Sequence, residues 1–166
     1  MQRIARVLDT VLNNVLITLM VALVAAVSWQ VISRYIFASP SSWTEEVARF
    51  LMIWVGLLGA AYAFRTGVHL GLDLVPNKLS GRAARILKLF TLCAVILFSL
   101  AVLIVGGSNL VVLTWELKQN SAVLGLPIAF VYAVIPATGA LICVYAIAAA
   151  MDEGTTEPDH LTESGV

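Results

Sequence analysis

Between Asp9 and Arg34 stand 24 residues without a formal charge, Thr10 to Ser33. Two further runs of this kind follow, 27 residues from Leu89 to Trp115 and 26 from Leu126 to Met151. No other feature narrows the fold as much. A helix rises 1.5 Å per residue, so about 20 apolar residues carry it across a ~30 Å hydrocarbon core. Lipid offers the backbone no hydrogen-bond partner, so a span must satisfy its own amides, as an α-helix does. Only 12% of the chain is charged and 60% is hydrophobic, against about a quarter charged in an ordinary soluble domain. The expected fold class is an all-α integral membrane protein.

A further span is hidden by charge. Between Arg49 and Arg65 only 15 residues are uncharged, which covers roughly 22 Å and falls short of the core. That helix must therefore take in the turn carrying Glu45, Glu46 and Arg49. Four transmembrane helices are predicted, over residues 10–33, 44–66, 83–115 and 126–151, making one membrane domain of residues 1–151.

Charge sets the expected orientation. Arg3 and Arg6 precede the first span, and Arg65, Lys78, Arg82, Arg85 and Lys88 lie between the second and third. The opposite side holds Arg34, Arg49 and Lys118. Lys and Arg in short loops favour the cytoplasm, so both termini and the 2–3 loop are expected there. Trp29, Tyr35, Phe37, Trp43 and Trp115 then form an aromatic belt at the outer interface. Residues 152–166 hold five acids and no Lys or Arg, and read as an acidic, disordered cytoplasmic tail. Cys93 and Cys143 sit in apolar runs away from any CxxC or His-rich cluster, as structural thiols do.

The stretch "SSWTEEVARF", Ser41 to Phe50, opens the second helix. Ser42 and Glu45 have the S-x-x-E spacing of a capping box, and Glu45 and Glu46 suit the positive end of the helix dipole. Arg49 is four residues beyond Glu45 and three beyond Glu46, so all three can pair on the helix surface. The plain reading is a capped helix start anchored at the interface; the sharper one is a docking patch for a second protein. A general-acid pair would need a cleft and substrate that nothing nearby supplies.

Along the same helix Gly56, Gly59, Ala60, Ala63 and Gly67 fall at three- and four-residue intervals, the spacing that lets helix backbones approach closely in lipid. Beyond it, His69 and Asp73 share a face if the segment is helical, while the alternation of Val68, Leu70, Leu72 and Leu74 suits an extended strand equally. One His and one Asp are too few for a metal site; a structural turn or an interface role remains. Lys78, Arg82, Arg85 and Lys88 form a basic stripe suited to anionic lipid headgroups.

Away from their end turns the predicted spans contain no Asp, Glu, Lys, Arg or His. An ion-coupled carrier keeps an ionisable residue deep in the membrane, so transport of a charged solute by this chain alone is not expected. Gly106–Gly107 and Pro136 with Gly139 are candidate kinks without a ligand set. Asn13, Asn14, Asn109 and Thr114 are the main polar groups, expected to bridge helices. Neither catalytic residues, cofactor, metal nor nucleic-acid partner is expected.

The run "SWTEEVARFLMIWVGLLGAAYAFRTGVHLGLDLV", Ser42 to Val75, resembles the signature of the small, DctQ-like membrane subunit of TRAP transporters, the tripartite ATP-independent periplasmic carriers. Trp43, Glu45, Glu46, Arg49, Trp54, Gly59, Ala60, Arg65, Gly67, His69 and Asp73 carry the likeness, and the four-span layout extends it over roughly residues 5–150. The resemblance implies a bacterial inner-membrane complex. In it a large membrane subunit holds the substrate and sodium sites, and a soluble periplasmic protein captures the substrate, usually an organic acid. The small subunit braces the large one and helps form the docking surface. On this chain Glu45, Glu46 and Arg49 would serve the outer end, and Arg65, His69 and Asp73 the cytoplasmic end. Two other readings remain: a self-sufficient homo-oligomeric transporter, which lacks a membrane-embedded acid, and a thiol enzyme, which would need Cys93 and Cys143 to react.

Overall fold

The computed structural model describes residues 2–37, 39, 41–66 and 82–153. The described residues form helices α1 (Gln2–Tyr35), α2 (Ser42–Arg65) and α3 (Arg82–Phe98), a π-helical segment (Ser99–Gly106), and helices α4 (Gly107–Glu116), α5 (Ile128–Tyr132) and α6 (Val134–Glu153). Among the described residues four stretches are long and apolar enough to cross a membrane: Leu8–Tyr35, Ser42–Arg65, Leu89–Glu116 and Ile128–Ala150. The number agrees with the four predicted spans; the third stretch starts at Leu89, six residues after the predicted 83, although α3 itself begins at Arg82. The third is α3, the π segment and α4 run together; the fourth is α5 and α6. Pro127 is extended, with ψ 122°, so the last span starts at Ile128 rather than at 126. The final helix continues to Glu153, and the remainder of the acidic tail lies outside the described residues.

α1 packs chiefly on α2, and α6 touches α2 on one side and the π segment on the other. Leu12, Leu58, Val134 and Tyr145 form the buried cluster where these elements meet. On α1 the inward positions Leu12, Leu16, Leu19, Leu23 and Ala26 alternate at spacings of four and three, a heptad seam suited to antiparallel packing at a shallow angle. In lipid the drive to pack is close van der Waals contact rather than exclusion of water.

The tightest helix approach depends on two glycines. A Cβ at Gly139 would lie 2.7 Å from Leu103 Cβ and 2.9 Å from Ile104 Cγ1. At Gly107 it would lie 2.8 Å from Ile135 Cγ2 and 3.1 Å from Pro136 Cδ. Spans three and four therefore interlock reciprocally, each offering a glycine to the other's bulk. The π segment ends at this junction, at Gly106. Pro136 lacks an N–H and its ring crowds the carbonyl four residues earlier, at Tyr132; the helix accordingly breaks at Ala133 and restarts, leaving Pro136 in the first turn of α6. The expected irregularities are present, and both serve packing.

Candidate functional site

Charge is gathered at the two ends of the bundle. At one end α1 finishes, α2 starts and the 117–127 loop joins α4 to α5. Ser41 occupies the N-cap position of α2 without a side-chain hydrogen bond to the helix amides. The predicted capping box between Ser42 and Glu45 is therefore not formed. The Ser41 hydroxyl is drawn instead to the hydroxyls of Thr44 and Ser33, and Thr44 Oγ1 donates to the Ser41 carbonyl at 2.8 Å. Thr44 is fully buried. This hydroxyl cluster staples the end of α1 to the start of α2.

Glu46 reaches away from its own helix. Its Oε1 accepts from the Ala122 N–H at 3.1 Å. Its Oε2 accepts from the N–H groups of Val123 at 3.1 Å and Leu124 at 2.9 Å. An ionised carboxylate only accepts, and successive backbone amides in a turn form a natural anion cradle. The loop supplies that turn by its own bonds. Ser121 N donates to Leu126 O at 2.8 Å, Gly125 N to Ser121 O at 3.1 Å, and Ile128 N to Gln119 O at 2.9 Å. Leu124 N is shared with Ser121 Oγ at 3.2 Å. Gly125 has φ 66°, a left-handed conformation that glycine adopts without a Cβ penalty.

The three-way pairing expected of Glu45, Glu46 and Arg49 is thus corrected. Glu45 alone pairs with Arg49, at 3.2 Å, in an exposed contact between side chains 63% and 59% accessible. Such surface pairs add little stability, which leaves both charges presented to solvent. Trp43 is exposed beside them, as are Trp29, Tyr35, Phe37 and Trp115. Trp29 stacks at a tilt near Phe37, with centroids 6.4 Å apart, and Trp115 meets Phe130 edge-on at 5.9 Å. The aromatic ring predicted at one interface is present at this end.

At the opposite end Arg65 Nε lies 3.4 Å from Asp9 Oδ2, and the guanidinium sits 5.9 Å from the Tyr145 ring centroid. The first, second and last spans are joined there. Asp9 Oδ1 and the Tyr145 hydroxyl are both buried with no partner within 3.5 Å, and the two groups lie close enough to interact with each other. Asp9 and Tyr145 were missing from the residues singled out by sequence. A lone acid at the start of the first span, on the same predicted side as Arg65, was the available signal. His69, Asp73 and Gly67 lie outside the described residues, as do the side chains of the basic stripe.

The small-residue stripe of α2 takes little part in packing within the chain. Added Cβ atoms at Gly56 and Gly59 would meet nothing within 4 Å, and Gly56 is exposed while Ala63 is half-buried. Beside it, α2, the third span and α6 enclose an open groove of about 560 Å³ lined by residues such as Ala60, Phe98, Leu103 and Ile142, with no titratable side chain. Within the chain the polar groups do not bridge helices: Thr114 bonds to its own helix carbonyls at Leu110 and Val111, and Asn13, Asn14 and Asn109 are exposed. Cys93 and Cys143 are free thiols. Among the described residues no three His, Cys, Asp or Glu side chains come together to hold a metal.

This arrangement ties helices and presents surfaces; among the described residues the groove along the spans carries no acid–base group. The DctQ component of the tripartite ATP-independent periplasmic transporters matches residues 23–153. The chain belongs to this family. It is a multi-pass inner-membrane component of a transporter, not an enzyme. Among its relatives is the C4-dicarboxylate TRAP transporter small permease protein DctQ of Rhodobacter capsulatus. That protein is 35% identical over 101 residues, 61% of this chain and 44% of the relative. The sialic acid TRAP transporter small permease protein SiaQ of Vibrio cholerae is 32% identical over 106 residues, 61% of each chain. The chain thus aligns with less than two thirds of either relative's length. The isethionate TRAP transporter permease protein DctMQ of Oleidesulfovibrio alaskensis is 28% identical over 132 residues, covering 75% of this chain but 20% of that protein.

Proposed function

We propose that this DctQ component is the non-catalytic small subunit of a TRAP transporter. It braces a large permease subunit and helps dock a periplasmic substrate-binding protein during sodium-coupled uptake of an organic acid. The carrying observation is where the charged side chains lie: among the described residues Asp, Glu, Lys and Arg stand at the bundle ends, and none lines the groove along the spans. Coupling ions need ligands inside the membrane, so the sodium and substrate sites belong to the larger chain. In DctMQ a similar segment makes up a fifth of a much longer permease, which supports a large subunit as the neighbour. The relatives' named substrates, a C4-dicarboxylate, sialic acid and isethionate, are all organic acids.

In this reading the Glu46 end faces the periplasm, both termini face the cytoplasm, and Trp43, Glu45 and Arg49 are offered to the docking protein. Gly56, Gly59 and Ala63 provide a close-contact face for the large subunit. Arg65, with His69 and Asp73, serves the cytoplasmic end. Reconstitution tests the whole. Proteoliposomes holding this chain, the large subunit and the binding protein are expected to take up substrate along a sodium gradient, and those holding this chain alone are not. Saturable sodium-driven uptake by the chain alone would establish the self-sufficient transporter instead.

A further inference from the structure

α1 carries two heptad seams on opposite faces. The inward one is rich in leucine and packs on α2 and the core. The outward one runs Asn14, Thr18, Val21, Ala25, Ser28 and Ile32, again at spacings of four and three, and every one of these positions is exposed. Val21 is 65% accessible and Ile32 39%. Eighteen residues separate the seam's ends, about 27 Å of helix, close to the full depth of the hydrocarbon.

Its composition is wrong for a face turned to lipid. Acyl chains are as apolar as leucine and offer no hydrogen bond, so polar side chains inside spans turn toward protein or water. Thr18 satisfies itself by donating to the Asn14 carbonyl at 2.9 Å. Among the described residues neither the Asn14 amide nor the Ser28 hydroxyl bonds to a neighbouring helix, and both side chains are exposed. Ala25 between them leaves room for a backbone to come close. Small side chains next to hydrogen-bonding ones, in heptad register, are what one membrane helix presents to another.

The occupant must match the seam's length, so it crosses the bilayer; headgroups and soluble proteins reach only its ends. Resting on the reading of this chain as a small permease subunit, we propose that the Asn14–Ile32 seam receives a transmembrane helix of the large permease subunit, one bearing hydrogen-bonding side chains opposite Asn14 and Ser28. The DctMQ relative, with a segment like this one inside a longer permease, favours that subunit over a second copy of this chain.

The test uses the chain co-expressed with its large subunit in native membranes. Wild-type co-purification of the two comes first, since its absence would overturn the small-subunit reading itself. Given that result, Ala25→Leu with Ser28→Leu is expected to lower recovery of the large subunit about tenfold, while Ala101→Leu, exposed on the third span, leaves it unchanged. Equal recovery from both variants, or equal loss, would overturn the seam and spare the reading. A second arm is independent of packing damage. Ser28→Cys in a Cys93→Ser, Cys143→Ala background carries a thiol-linked photo-cross-linker. An adduct containing peptides of the large permease supports the proposal. An adduct of two copies of this chain, or cross-linking to lipid alone, overturns it.

Discussion

Glu46 and Leu124 are 78 positions apart in sequence, yet the Leu124 amide donates to Glu46 Oε2 at 2.9 Å. With the bonds from Ala122 and Val123, this contact locks the 117–127 loop onto the first turn of the second span. Substituting Glu46 with Ala should free the Ala122 and Val123 amides and leave Leu124 N with Ser121 Oγ alone. Hydrogen exchange at residues 122–124 is expected to speed up by about tenfold or more, as local opening becomes easier. Glu46→Gln, which keeps one carbonyl but adds a donor facing other donors, should fall between. Unchanged exchange in Glu46→Ala would mean the loop holds itself.

The neighbouring pair behaves differently. Glu45 and Arg49 are exposed, so Glu45→Ala or Arg49→Ala should cost only about 0.3–0.5 kcal/mol of stability. Uptake by the complete transporter should nonetheless fall, with substrate preference unchanged. Thermal melts beside uptake assays separate the two effects; altered selectivity with normal complex assembly would contradict a docking role.

Glycines 59 and 139 should respond in opposite ways. Gly139→Ala forces a Cβ against Leu103 and Ile104 and is expected to destabilise by about 1–3 kcal/mol, as overpacking does. Gly59→Ala meets open space and should be neutral or mildly stabilising for the isolated chain, by up to about 1 kcal/mol. Unfolding in detergent reads both.

At the other end, Tyr145→Phe removes a buried hydroxyl with no partner within 3.5 Å. Stability should hold or rise by up to about 1 kcal/mol. Arg65→Gln and Asp9→Asn, combined in a double-mutant cycle, should show a coupling of about 0.5–1 kcal/mol. A Tyr145→Phe variant that melts earlier would show that the hydroxyl bonds to Asp9.

Spans were readable because lipid imposes one requirement, uninterrupted apolar helix, that composition alone can meet. Even the charge-shortened second span followed from length: Ser42–Arg65 had to borrow the Glu45–Arg49 turn. Partnerships were less legible. The capping box at Ser42 and Glu45 follows a local rule, and local rules give way where tertiary donors compete. Here Glu46, one residue along, found three amides that no spacing argument could place beside it. Gly56 and Gly59 look from sequence like packing residues no less than Gly107 and Gly139 do. Only the reciprocal bulk of Ile135 and Leu103 distinguishes the pairs. In sequence Asp9 marks only the border of a span, and the fold alone makes it one half of an ion pair.

Residues 122–124 hold Glu46 through their main-chain amides, with the Ser121 hydroxyl beside them, so the hold is blind to the side chains at 122–124. Those positions can be rewritten freely while the fastening stays in place, short of proline, which would delete a donor. Evolution can therefore recut this rim to suit a different soluble partner without disturbing the membrane helices that carry it.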